Sequence, residues 1–128
     1  MAVSEWIYKQ LINNAGVNAI TTAVYPLVRQ EESTLPAVVY ELFDIEPIDT
    51  KGVAPTVDVW DCDITAFAED YTSCETLVEA VRTALDRQSG TQGSTTVDDC
   101  WVEGFNSEKI DNTEIFALTY SFKIRAKR

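Results

Sequence analysis

The segment "FALTYSFKIRA" near the C-terminus constrains the fold more than any other. Phe116, Leu118, Tyr120, Phe122 and Ile124 recur at every second position. Side chains of a strand point alternately to its two faces, so this run sets five large apolar groups on one side. A strand so one-sided needs a sheet with one covered face.

The cover is legible as well. In residues 69–88, "EDYTSCETLVEAVRTALDRQ", Cys74, Leu77, Val78, Val81, Ala84 and Leu85 recur at spacings of three and four. That is the apolar stripe of a helix. Thr72 and Glu75 have capping-box spacing. Glu79, Arg82 and Asp86 fall on the opposite face, where they can pair weakly. Val3, Ile7, Leu11 and Ala15 lie four apart beside Trp6 and mark a second helix over residues 3–15, with Gly16 as its left-handed stop.

The remaining strands are shorter or less regular. "AVYPLV" reads as a short strand that Pro26 confines to an edge or a bend. In "LPAVVYELFDIEP", Pro36 opens a strand and Pro47 closes it, because proline donates nothing to a ladder. Val38, Tyr40 and Leu42 share one face, and Val39, Glu41 and Phe43 the other. Residues 57–68 alternate Trp60, Cys62, Ile64 and Ala66 with Asp61, Asp63 and Thr65, a strand with an acidic outer face. "VDDCWVEGFN" is a further strand. Residues 29–35, 47–56 and 88–96 are read as polar loops, the second long for a hairpin. The expected architecture is α+β. It is a single domain over 1–128, an antiparallel or mixed sheet of four to five strands with two helices packed on one face.

Chemistry is constrained by what is scarce. The 128 residues include no histidine, so the commonest general base and metal ligand are missing. Cys62, Cys74 and Cys100 are odd in number and widely spaced, which suits free buried thiols better than a disulfide framework or a zinc site. There is no phosphate-binding glycine motif. No cofactor or metal is expected. No apolar run is long enough to span a membrane, and "MAVSEWIYKQ" does not read as a signal peptide. Trp6 and Trp60 are expected in the core. Trp101 is read as packed too, an outward position making it an interface anchor.

Charge carries more information. The net charge is −11, yet four of the ten basic residues lie in the last six, "KIRAKR". The preceding 122 residues hold 6 basic against 21 acidic, a balance of −15. Such a body is a poor nucleic-acid binder, because affinity for DNA rests on neutralising phosphates. It can repel DNA, pair tail to body between subunits, or serve solubility alone while the tail frays. Three classes stay open from the residues: a structural assembly protein, a small carboxylate enzyme working through Asp61 and Asp63, and an acidic module that mimics DNA.

The succession "LINNAGVNAITTAVYPLV", "LPAVVYELFD", "VWDCDITAFAEDYTSCETLVEAVRTALD" and "ALTYSFKIRA" resembles the tail terminator, or tail-completion, proteins of long-tailed bacteriophages. The likeness covers nearly the whole chain and lies in the order and spacing of these pieces. It implies a non-enzymatic virion protein at the head–tail junction, made in the bacterial cytoplasm. Such proteins form a ring, usually hexameric, on the finished tail tube. The ring stops addition of the tail tube protein, offers a surface to head-completion or connector proteins, and lets DNA pass without specific binding. On this resemblance Asp61 and Asp63 are candidates to line an acidic channel. Asp49, Lys51, Lys123, Arg125, Lys127 and Arg128 are candidate assembly contacts, and the loops at 47–56 and 88–96 are candidate contacts with tube or neck. A neighbouring neck or adaptor ring is the alternative within the class.

Overall fold

The computed structural model describes residues 2–21, 24–26, 35–50, 53–109 and 115–127, with backbone alone at 49, 50 and 53–56. Among the described residues three helices, α1 (Ala2–Ile12), α2 (Ala15–Asn18) and α3 (Tyr71–Leu85), accompany six strands. The strands are β1 (Val24–Pro26), β2 (Ala37–Thr50), β3 (Val53–Ala68), β4 (Gly90–Gln92), β5 (Thr95–Lys109) and β6 (Phe116–Lys127). They form one sheet in the order β1-β2-β3-β6-β5-β4. Only β1 pairs in parallel; every other neighbour is antiparallel. The architecture is α+β as expected, with two more short elements of sheet and helix than the periodicity resolves.

The core lies between the helices and one sheet face. Ile7 and Leu11 of α1 and Leu77, Val78, Val81 and Leu85 of α3 pack with Ile64 of β3 and Leu118, Phe122 and Ile124 of β6. All the apolar positions named for α3 are buried, and Trp6 is buried with them. The three cysteines are free and buried. The C-terminal strand does not fray: β6 is held between β3 and β5 to Lys127.

Several local expectations are corrected. Pro47 does not end β2, which continues to Thr50 and pairs Pro47 with Asp58. Past Tyr40 no described strand flanks β2 on its other side, so the missing N–H breaks no second ladder. The long loop at 47–56 is thereby replaced by strand, with only 51 and 52 between the paired Thr50 and Val53. Gly16 is not a left-handed stop but lies inside α2. The break belongs to Asn14, whose Oδ1 accepts from the Val17 N–H at 3.0 Å. Helix α3 is capped by Asp70 rather than Thr72, its carboxylate accepting from the Ser73 N–H at 3.1 Å. The segment at 88–96 contains a tight hairpin that pairs Gln92 with Thr95 and turns at Gly93, φ +62°. Pro26 does sit on an edge strand, as its missing donor requires. Most of the polar segment at 29–35 lies outside the described residues.

Candidate functional site

β-bulges in β2 and β5 decide which side chains share the helix-free face of the sheet. Between Leu42 and Asp44 the register of β2 shifts by one. Glu41 sits opposite Asp63, and then Asp44 opposite Asp61 and Glu46 opposite Val59. The bulge at Phe43 therefore reverses the alternation and brings Asp44 and Glu46 onto the face of Glu41. A shift in β5 between Val102 and Gly104 instead sends Phe105 to the helix-bearing face, opposite Tyr120, the rings 5.1 Å apart.

The face so built carries ordered rows of charge. Asp61 and Asp63 of β3 point away from the helices, as the alternation predicts. Asp61 Oδ1 lies 3.2 Å from Lys123 Nζ, and Asp63 accepts a 2.7 Å hydrogen bond from Ser121 Oγ. The hydrogen bond to Asp61, with its charge, raises the Lys123 pKa. Arg125 and Lys127 approach Asp98 Oδ2 at 3.8 and 3.7 Å, and Arg87 approaches Asp99 Oδ2 at 3.0 Å. Lys123, Arg125 and Lys127 thus meet carboxylates of their own chain. Glu41, Asp44 and Glu46 are exposed and make no salt bridge among the described residues, although the Glu46 charge adds to the raised Lys123 pKa. Lys51, Arg128 and the side chain of Asp49 lie outside the described residues.

Beside β5 an open groove of about 530 Å³ is lined by Arg87, Asp98, Asp99, Trp101 and Arg125. Trp101 is not packed in the core; it is half-exposed and its Nε1 donates to Glu103 at 3.0 Å. Trp60 likewise packs against the core while remaining partly exposed. The sequence does not show that Arg87 and Trp101 line one groove. Arg87 follows α3 with φ +60°, and its N–H donates to the Cys100 carbonyl, which brings it to β5.

Reactive groups are few and shielded. Burial raises the pKa of Cys62, with the Asp63 charge adding, and burial also raises those of Cys100 and Cys74. Neutral buried thiols are poor nucleophiles. Among the described residues no three metal-ligating side chains converge, and no helix is long and apolar enough to cross a membrane.

The order of elements and the sheet are shared with a solved structure. A chain of the "Virion of native gene transfer agent (GTA) particle" superposes with a TM-score of 0.83 at 19% identity, over 95% of this chain and 92% of that one. At that identity the likeness is one of fold. No curated protein matches the sequence. The family model described as tail completion protein gp17 matches residues 5–126. With the match spanning nearly the whole chain, this protein belongs to the tail completion protein gp17 family and is a structural, non-enzymatic protein of the phage virion.

Proposed function

We propose that this chain forms a ring, hexameric by resemblance to tail terminators, that caps the finished tail tube. The ring ends polymerisation of the tube protein and presents its other surface to head-completion proteins. The observation that carries this reading is the family match over residues 5–126. A sheet with one helix-free face supports it, since such a face is available either to a lumen or to a neighbour.

On this reading Asp61 and Asp63 line the channel through which DNA passes. Lys123 offsets part of the charge of Asp61, so the repulsion of DNA falls mainly to Asp63 and to Glu41, Asp44 and Glu46, which make no salt bridge among the described residues. Lys123, Arg125 and Lys127 order the sheet first, and contact other subunits only where their exposed faces allow. Asp49, Lys51 and Arg128 stay candidates for assembly contacts at the hairpin end and the C-terminus. A neighbouring neck ring remains the second position that the family name permits, and binding to polymerised tube rather than to the portal side separates the two.

Electron microscopy of particles made with and without this gene tests the proposal. Tails of uncontrolled length, or full heads beside unjoined tails, are expected without it. Normal tails joined to heads would overturn it.

A further inference from the structure

The two ends of the sheet are incomplete in complementary ways. Strand β1 flanks only residues 38–40 of β2, and β4 flanks only residues 95–97 of β5. Among the described residues nothing pairs with 41–50 on the outer side of β2, or with 98–109 on the outer side of β5. Open strand edges of this length are templates for another strand. Among the described residues the two most exposed large apolar side chains, Phe43 at 56% and Phe105 at 52%, sit one on each open stretch.

We infer that copies of this chain join head to tail, the open stretch of β2 in one copy pairing with the open stretch of β5 in the next. This rests on the ring reading and supplies its contact. Strands β2 and β5 run in opposite directions, because each is antiparallel to its inner neighbour and β3 and β6 are antiparallel to each other. Two copies facing the same way therefore present the edges for an antiparallel ladder. The contact is heterologous, using different surfaces on the two partners, which is the kind that closes into rings.

Edge geometry favours a second copy as the occupant, because each chain carries one open stretch of each direction at the same level of the sheet. The outer row of the β2 edge is Glu41, Asp44 and Glu46, which make no salt bridge among the described residues. At the β5 edge Arg87, and Arg125 of the adjoining β6, meet Asp99 and Asp98 of their own chain beside the Trp101 groove, so cations and carboxylates alternate there. Following the ladders row by row, Glu46 lies level with Asp99 and Arg125, and Glu41 level with Gly104. The window 41–46 thus meets 99–104, clear of β1 above and β4 below. These two short strands act as stops that limit how far the ladder slides.

Cross-linking in assembled particles tests the contact. Asp44 and Glu103 are exposed and stand on opposite edges. Tails carrying Asp44→Cys, Glu103→Cys or both are treated with a short bis-maleimide, the natural thiols being buried. Only the double variant is expected to give a ladder of covalent multimers. Covalent dimers from either single variant alone would mean a two-fold contact and overturn the inference. Tails of normal length joined to heads, with no cross-links in the double variant, would overturn the strand pairing and leave the ring reading standing. Normal tails in particles lacking the gene would overturn the ring reading, and the inference with it.

Discussion

Lys123 on β6 and Asp61 on β3 sit directly opposite each other in the ladder, Nζ and Oδ1 3.2 Å apart on the helix-free face. The C-terminal cations are thus counter-charges of the sheet itself before they are anything else. A strand that bears Lys123, Arg125 and Lys127 lies between strands that bear Asp61 on one side and Asp98 and Asp99 on the other.

This pair has a defined pH dependence. The hydrogen bond to Asp61 raises the Lys123 pKa above its ordinary 10.5. A base whose pKa is raised by folding stabilises fully below its unfolded value, and the contribution is lost as pH rises through the folded one. Wild type is expected to melt higher than Asp61→Asn at neutral pH. The gap closes only above pH 10.5, and added salt narrows it. Thermal melts across that range check both.

The cap of α3 separates two readings of one segment. Asp70→Ala removes the acceptor for the Ser73 N–H and is expected to cost about 1 kcal/mol. Thr72→Ala is expected to cost only a few tenths, within the ~0.5 kcal/mol common at surface sites. Urea denaturation of the two variants distinguishes them, and equal losses would restore the capping box.

Gly90 marks a close approach between β4 and α1. A Cβ there would come within 2.7 Å of the Trp6 Nε1, and Trp6 is buried. Gly90→Ala is expected to destabilise by about 1–3 kcal/mol through overpacking and to shift Trp6 emission. Gly93→Ala meets open space but must hold φ +62°. It should cost about 1–2 kcal/mol with Trp6 emission unchanged. Fluorescence in a Trp60→Phe, Trp101→Phe background reads Trp6 alone.

The thiols report on opening of the core. Burial raises the pKa of Cys62, Cys74 and Cys100 and keeps them in the thiol form. An aromatic disulfide reagent is expected to label none of them in the native protein, at neutral or mildly basic pH. Labelling should follow the global unfolding rate under denaturant. Fast labelling of one cysteine without unfolding would contradict its buried placement.

Alternating and helical apolar patterns identified β6, β3 and α3, the burial of Trp6 and the outward side of Asp61 and Asp63, and the odd count and wide spacing of the cysteines pointed to free buried thiols. These follow from local geometry: the period of a strand or helix sends its apolar residues to one face wherever that face is later covered. The missing histidine and the resemblance pointed away from catalysis and towards the phage tail. The tertiary structure alone decided that β2 runs through Pro47, that Asp44 and Glu46 join Glu41 across the bulge at Phe43, and that Arg87 reaches Asp99 in the groove that Trp101 also lines. It also set Lys123 against Asp61 and left the outer sides of β2 and β5 open. Register, bulges and edges depend on which strand lies alongside, and no residue carries that information in its own neighbours along the chain.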